Sequence, residues 1–282
     1  MKDKVPGAPF SVFHYHANAH VVSAQFTRPV HHLVEVQGAS SLPTIGGHGK
    51  GAVHDFRFEH FLSVKHGYTH VSGSVQEKSE QDKDGKEVVA KYHTTLVTSV
   101  AEGVNILDVV TADRIVGRFA SSFREGDEES TFTHIGSKFE NLHVAGCKID
   151  VEPLIAVFDR VPTFDKATKE FQSNSDFKKI AEDPFQDGNT IKAAPPLHGA
   201  FLCSIINTAQ LKEKCAHGVT SQGHCLVIPK FGKLFLGELL IQYGRRTLTM
   251  LRFDLGSPVS ANGTVVQADS NGSPYPPTRK GG

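Results

Sequence analysis

Apolar and polar residues alternate one by one along much of this chain, and this pattern limits the folds open to it. The clearest example covers residues 53–66. One parity carries aromatic, aliphatic and imidazole side chains, namely His54, Phe56, Phe58, His60, Leu62 and Val64. The other parity includes three successive charged residues, Asp55, Arg57 and Glu59. Successive side chains of an extended strand point to opposite faces, so the pattern predicts a half-buried β-strand.

Residues 94–101 and 106–123 are rich in threonine, valine and isoleucine and are also predicted to be β-strands. Residues 131–151 are predicted to add another pair of strands, with Gly136 and Gly146 as turns or bulges. Residues 233–242 and 247–254 are predicted to form a final hairpin with its turn at residues 243–246. Helical spacing of apolar residues occurs only at about 163–183, where Phe164, Ala167 and Phe171 share one face. Ser175 is expected to cap a second short helix there.

This order of elements predicts a mainly β protein, either an antiparallel β-sandwich or a flattened barrel, with a short helical insertion. A β-solenoid is the alternative. We expect residues 10–256 to form a single β domain after an N-terminal tail of residues 1–9. Residues 257–282 are rich in Gly, Ser, Asn and Pro and are expected to form a flexible tail.

The charge balance argues against two classes of partner. The 30 Lys and Arg residues equal the 30 Asp and Glu residues, so neither nucleic acid nor a membrane is an expected partner. No apolar run approaches the roughly 20 residues of a spanning helix, and the first ten residues lack the apolar core of a secretory signal. The protein is therefore expected to be cytoplasmic. If the final hairpin is exposed, it would allow a homodimer through edge-to-edge pairing.

The stretch HYHANAH places an imidazole or an amide at every second position of a predicted strand, so these side chains would share a face. His14 and His16 are spaced to approach one metal ion, with His20 further along. Additional ligands are expected from the segment RPVHHLVEVQ. The candidate metal ligands are His14, His16, His20, His31, His32 and Glu35. Imidazole ligands suit Zn, Cu, Fe or Ni, whereas the alternative is a polar, half-exposed strand face.

Two further groups leave alternatives open. Cys215, His217, His224 and Cys225 bracket a glycine-rich turn, which is compatible with a zinc site, a disulfide or a plain loop. His54, His60 and His66 fall on one parity. They would either line a cavity together with Phe56, Phe58 and Tyr68, or pack in the core or at its rim. The stretch from Gly46 to Gly51 lacks the Ser or Thr of a phosphate-binding loop and is interpreted as a turn.

Several stretches resemble an uncharacterised bacterial family of hypothetical proteins. They are SLPTIGGHG (41–49), GYTHVSGS (67–74), EGVNILDVVTADRIV (102–116), GSKFENLHVAG (136–146), FGKLFLGELLI (231–241) and RRTLTMLRFDLG (245–256). The resemblance covers most of residues 10–256. It implies no known activity, so it identifies no catalytic residue.

Two functions follow as hypotheses. The first is a histidine-rich β-domain protein with a binding or structural role, which binds a small-molecule ligand or a divalent metal. The second is a metal-dependent enzyme that acts on a small molecule through a His-ligated site near His14 and His16. The first is favoured because the sequence offers no complete catalytic set.

Overall fold

The computed structural model describes residues 12–82, 84–151, 153–182, 196, 199–206, 218–222 and 225–275. Within these residues the strands form two large antiparallel sheets, and strands β1 (Val12–His14) and β19 (Ser273–Tyr275) pair separately. The eight-stranded sheet contains β5 (Gly47–Phe58), β6 (Leu62–Gln81), β7 (Glu87–Ile106), β8 (Val110–Arg124), β9 (Thr131–His134), β10 (Lys138–Glu140), β11 (Leu142–Val144) and β12 (Cys147–Ile149). The nine-stranded sheet contains β2 (Ala17–Arg28), β3 (His32–Gln37), β4 (Ser40–Ser41), β13 (Ala200–Ser204), β14 (Thr220–Gln222), β15 (Cys225–Ile228), β16 (Gly232–Gln242), β17 (Arg245–Leu255) and β18 (Ser260–Ser270).

The two sheets pack face to face, which confirms the predicted β-sandwich. Strands β6 and β7 lie against β2, and β8 lies against β18. The approach is close where Val21 of β2 meets Gly67 of β6, because a Cβ on Gly67 would lie 2.5 Å from Val21 Cγ1. The inner faces carry the apolar residues, as alternation requires. Neither sheet closes into a barrel in the described residues, and their antiparallel pairing is not that of a solenoid.

The predicted helical insertion is confirmed. After the one-turn helix α1 (Ile155–Phe158), helices α2 (Phe164–Ser173) and α3 (Ser175–Glu182) cover β13. Phe171 and Phe177 both contact the ring of Phe201. The cap of α3 is Asn174 rather than Ser175, because Asn174 Oδ1 accepts hydrogen bonds from the first backbone N–H groups of the helix. No helix in the described part of the chain is both long and apolar enough to cross a membrane.

Residues 53–66 are not one strand. Strand β5 ends at Phe58 and β6 starts at Leu62, so a tight turn at residues 59–61 folds the segment back on itself. The turn contains neither Gly nor Pro, and Glu59 adopts a φ of 49°. The single-strand prediction is therefore wrong, because the alternation continues through the turn. As a consequence, His54 lies directly opposite His66.

The glycine stretch also differs from its prediction as a turn, because β5 already begins at Gly47. Glycines are needed here because β5 runs close to the segment before it. A Cβ on Gly49 would lie 2.4 Å from the carbonyl oxygen of Ser41, and one on Gly51 would lie 2.3 Å from that of Ala39. The glycines therefore allow β5 to pack against this neighbouring backbone.

The expected flexible tail does not begin at residue 257. Strand β18 lies between β17 and β2 in the nine-stranded sheet, and Val265 and Val266 are fully buried. The polar residues of this segment alternate with apolar ones, so they mark the outer face of a strand. The final predicted hairpin, β16 and β17, is likewise interior to the sheet, and it cannot supply the expected exposed edge for a homodimer.

Candidate functional site

The HYHANAH stretch is not one strand, because β1 ends at His14 and β2 begins at Ala17. Its side chains nevertheless alternate between buried and exposed positions, as predicted. Tyr15, Ala17 and Ala19 are buried, whereas His14 and His16 are exposed. His20 is half-buried, and its Nε2 atom lies 3.0 Å from Thr264 Oγ1 on the neighbouring strand β18. Burial lowers the pKa of His20, and the nearby carboxylate of Asp269 partly opposes that shift.

The structure does not bring the six predicted metal ligands together. His32 pairs in register with Phe26, ten residues beyond His16 along β2, which places the two histidines roughly 33 Å apart. The ring of His32 stacks on Phe58 at 4.6 Å. His31 and Glu35 are exposed beside it. In residues 12–82 and the other described ranges, no group of three or more His, Cys, Asp or Glu side chains converges as metal ligands.

The outward-pointing side chains from His16 to His20 instead belong to a hydrogen-bonded polar surface at the nine-stranded sheet. Asn18 Nδ2 donates to Asp269 Oδ1 at 3.2 Å, and Arg245 Nη2 contacts Asp269 Oδ2 at 2.8 Å. Asn18 Oδ1 accepts from the Ser41 hydroxyl at 2.5 Å. These contacts agree with the alternative interpretation, in which HYHANAH forms a polar, half-exposed strand face.

A denser group of imidazoles lies on the outer face of the eight-stranded sheet, near its β5 edge. We call it the histidine face, and it consists of outward-pointing residues of β5 and β6. They are His48, Lys50, Ala52, His54, His66, Tyr68 and His70. The hairpin turn at 59–61 generates this face, because it places the outward residues of β5 directly opposite those of β6.

Two register rows organise the histidine face. In the first row, His54 and His66 are followed by Glu102 on β7 and Arg114 on β8. The Nδ1 atoms of His54 and His66 lie 3.0 Å apart, and their ring centroids are 4.6 Å apart. The Arg114 Nε atom is 3.3 Å from Glu102 Oε1, so the row ends in an ion pair.

The second row contains cationic groups. Lys50 lies opposite His70, which is followed by Thr98 and then Arg118. Partial burial, together with the positive charge of Lys50 and His48, lowers the pKa of His70. In the described part of the chain no carboxylate lies within ion-pair distance of Lys50. The row therefore has a local excess of positive charge, although the chain as a whole is neutral.

A shallow cleft of about 590 Å³ lies between the two rows. Its lining consists of Lys50, Gly51, Ala52, Tyr68, Thr69 and His70. The Tyr68 hydroxyl accepts a 3.4 Å hydrogen bond from Arg114 Nη2, which helps to fix the orientation of the phenol ring. The cleft thus combines a flat aromatic wall with a lysine and a histidine, and its lining contains no acidic residue.

A second group links a hydroxyl, an imidazole and a carboxylate in the same order as a catalytic triad. His93 Nδ1 lies 3.1 Å from the Tyr15 hydroxyl, and His93 Nε2 lies 3.2 Å from Glu125 Oε1. Tyr15 is only 5% exposed, however, and burial raises its pKa. The ring of Phe13 stacks on His93 at 4.3 Å. Because Tyr15 is largely buried, little of it is open to a substrate, and the contacts of this group hold β1 against β7.

A third cluster is buried beneath the helical insertion. Arg246 is inaccessible to solvent, stacks on Phe132 and donates from Nη1 to two backbone carbonyls. Burial lowers the pKa of Arg246 to about 10, with the nearby Glu129 opposing the shift. Burial raises the pKa of Cys203 to about 12, so this thiol does not act as a nucleophile at neutral pH.

The remaining sequence predictions divide by location. Cys215, His217 and His224 lie outside the described residues, so the zinc, disulfide and loop alternatives stay predictions. His60 is in the turn and does not share the face of His54. Grouping by parity placed Tyr68 beside His54, His60 and His66, but it did not include Lys50. The cross-strand register would have revealed Lys50, but it depends on a turn with no sequence signal.

Comparison with known proteins gives a family and no activity. A family model for a domain of unknown function (DUF8256) matches residues 13–242. No curated protein and no solved structure matches the chain. The match agrees with the resemblance to an uncharacterised family, while a bacterial origin stays a prediction. Because the match spans most of the chain, this protein belongs to the family defined by the domain of unknown function DUF8256.

Proposed function

We propose that the protein is a non-catalytic binding protein whose cleft on the histidine face, lined by Lys50, Tyr68 and His70, binds a small anionic molecule that carries a planar ring. The observation that supports this most directly is the cleft lined by Lys50, Tyr68 and His70, with no acidic residue. Ligand sites in proteins typically combine an apolar or aromatic surface with a few well-placed polar groups.

The charge of the cleft supports an anionic ligand. Lys50 and His70 face each other across β5 and β6, and Arg118 extends the same row two strands further. A bound carboxylate or phosphate would offset the effect of Lys50 and His48 on the pKa of His70. The ligand would therefore raise that pKa, which gives the proposal a direct spectroscopic signature.

The shape of the cleft supports a planar ring. Ala52 lies directly opposite Tyr68, and its small side chain leaves the phenol ring uncovered on that side. Aromatic rings stack with an offset and gain about 0.5–1.5 kcal/mol beyond simple area burial. Arg114 holds the hydroxyl end of Tyr68, so little conformational freedom is lost on stacking.

A binding role also fits the polar groups elsewhere in the described chain better than an enzymatic role does. Tyr15 of the triad-like group at His93 is largely buried, and the six candidate ligands of the metal-dependent enzyme do not share a site. A location in the cytoplasm stays a prediction.

The proposal is tested by titrating the full chain with phenyl phosphate and, separately, with inorganic phosphate. Calorimetry measures the affinity, and NMR of the imidazole groups measures the pKa of His70. Phenyl phosphate should bind at least fivefold more tightly than phosphate and should raise the pKa of His70. Lys50→Ala should lower the affinity for both ligands at least fivefold, which corresponds to about 1 kcal/mol of binding free energy. Tyr68→Ala should lower the affinity for phenyl phosphate alone.

Lys91→Ala is the matched control, because Lys91 is an exposed lysine of β7 outside the histidine face. It should bind both ligands as the unmodified chain does. The proposal fails if Lys50→Ala and Tyr68→Ala bind phenyl phosphate with unchanged affinity, or if neither ligand binds at millimolar concentration.

A further inference from the structure

His54 and His66 form a close cross-strand pair of imidazoles. Their Nδ1 atoms face each other at 3.0 Å, with an angle of 43° between the ring planes. His54 is exposed and His66 is half-buried, so solvent reaches the pair. Two imidazole nitrogens at this distance are joined in one of two ways: one ring donates its N–H to the nitrogen of the other, or both nitrogens bind the same cation.

The separation of the two nitrogens matches that of two ligands on one transition-metal ion. Imidazole nitrogens bind zinc at about 2.0–2.1 Å, so bond angles between a right angle and the tetrahedral value place two such nitrogens about 2.9–3.4 Å apart. The observed 3.0 Å lies within this range. The two strands thus hold the two nitrogens at the spacing that a shared ion requires.

The surroundings favour an open site over a closed structural one. Glu102 is the acidic residue next in the row, but its carboxylate is paired with Arg114. No third His, Cys, Asp or Glu converges with the pair in the part of the chain that the structure describes. Solvent or a small ligand would therefore occupy the remaining coordination positions of an ion held by the two rings.

We propose that His54 and His66 chelate a divalent transition-metal ion through their Nδ1 atoms, in the affinity order Cu²⁺ above Ni²⁺ and Zn²⁺. The order follows from the general preference of nitrogen ligands for first-row metals. The site goes beyond the anion cleft, because the Ala52–Tyr68 row separates the two imidazoles from Lys50 and His70. It also replaces the ligand set expected around His14 and His16.

The test is a titration of the untagged full chain with CuCl₂, NiCl₂ and ZnCl₂, in which the bound equivalents are counted by calorimetry. His54→Gln and His66→Gln should each lose the same single equivalent of Cu²⁺, or bind it at least tenfold more weakly. The double variant should lose no more than either single variant, because both residues hold one ion. Two independent sites would instead give additive losses and would overturn the proposal.

Two controls keep the result specific. The His14→Gln/His16→Gln variant should retain the equivalent assigned to His54 and His66, since these exposed residues lie outside the eight-stranded sheet: His14 is in β1, which pairs with β19, and His16 precedes β2. In the unmodified chain, Cu²⁺ should broaden the imidazole NMR signals of His54 and His66 before those of other histidines. This second measurement needs no variant, so a folding defect cannot obscure it. Broadening that starts elsewhere contradicts the proposal.

The metal and anion proposals can fail separately. Lys50→Ala should keep the copper equivalent, and His54→Gln should keep the affinity for phenyl phosphate measured without metal. If Lys50→Ala loses the copper equivalent in a folded protein, the ion is held elsewhere and the assignment to His54 and His66 is wrong.

Discussion

At the scale of single residues, His134 is the described histidine from which we expect the largest contribution to the pH dependence of stability. It is the one buried imidazole among the histidines that the structure describes. Its ring lies edge-on to Phe158 at 5.7 Å, and Nε2 has no hydrogen-bond partner there. Burial, followed by the charge of Arg246, lowers the pKa of His134 to about 4. The folded protein therefore keeps this ring neutral.

We predict that the protein loses stability on acidification through His134. The unfolded chain binds a proton near pH 6.5, while the folded chain resists it until about pH 4, so stability is complete above pH 6.5 and falls below it. The loss is on the order of 3 kcal/mol between these limits. Urea denaturation at several pH values measures it, and His134→Gln should remove most of the slope. An equal slope in both proteins would contradict the prediction.

The other described histidines show that a sequence pattern does not identify the buried ones. The structure exposes His14, His16, His48 and His54, and Nε2 of the half-buried His20 lies within hydrogen-bond distance of the Thr264 hydroxyl. Alternation assigned these residues to one face of a strand, but it could not say which face was buried. That depends on which sheet packs on the other.

At the scale of elements, Glu129 fastens the helical insertion to the sandwich. Both of its carboxylate oxygens accept a hydrogen bond from the backbone N–H of Phe164, at 2.8 and 2.9 Å. Oε1 also accepts from the N–H of Gly244 at 3.0 Å, in the turn between β16 and β17. A negative charge at the start of α2 complements the partial positive charge of the helix N-terminus. One side chain thus joins a loop, a helix and a hairpin turn.

We predict that Glu129→Ala lowers the free energy of unfolding by about 2–3 kcal/mol, because two backbone donors lose a charged acceptor. Chemical denaturation followed by circular dichroism measures the change. Glu128→Ala is the matched control: the contact of Glu128 with Tyr243 uses its backbone carbonyl, so truncation should cost less than about 0.5 kcal/mol. Similar losses in the two variants would argue against the role assigned to the Glu129 carboxylate.

Strand content was largely predictable, whereas several turns were not. The hairpin turn at Tyr243-Gly244 and the bends at Gly136 and Gly146 coincide with glycines at positive φ, as expected. Leu107 and Asp108 also form a turn, with φ of 55° at both positions, yet the sequence there reads as continuous strand. Asn105 stabilises it by exchanging hydrogen bonds with Asp108. Hydrogen bonds between side chains and the backbone of a turn do not change the hydrophobic periodicity, so this pattern cannot reveal them.

At the scale of the whole molecule, the nine-stranded sheet depends on residues that were expected to be a tail. Strand β18 pairs with β17 on one side and with β2 on the other, over nearly its full length. The family match ends at residue 242, the last residue of β16, so it leaves out two central strands of this sheet. The composition of residues 257–282 concealed this, because Gly, Ser and Asn are more typical of loops than of strands, yet several of them lie in β18.

We predict that a variant ending at residue 256 does not fold, because it exposes the apolar edges of β17 and β2 and removes the buried Val265, Val266 and Ala268. Soluble yield, circular dichroism and gel filtration report the outcome. A variant ending at residue 275 retains every described strand and should melt within a few degrees of the full chain. A cooperatively folded chain of residues 1–256 would show that β18 is dispensable.

The pairing of β2 with β18 also determines when folding can finish during synthesis. The hydrogen bond between Asn18 and Asp269 spans 251 positions, so the ribosome produces one partner of this ladder long before the other. Until translation reaches β18, β2 has an open edge on which another nascent chain could add a strand. Such distant contacts also slow folding. We therefore expect β2 to be the segment that chaperones shield on the nascent chain, and the yield of recombinant protein to improve when expression is slowed.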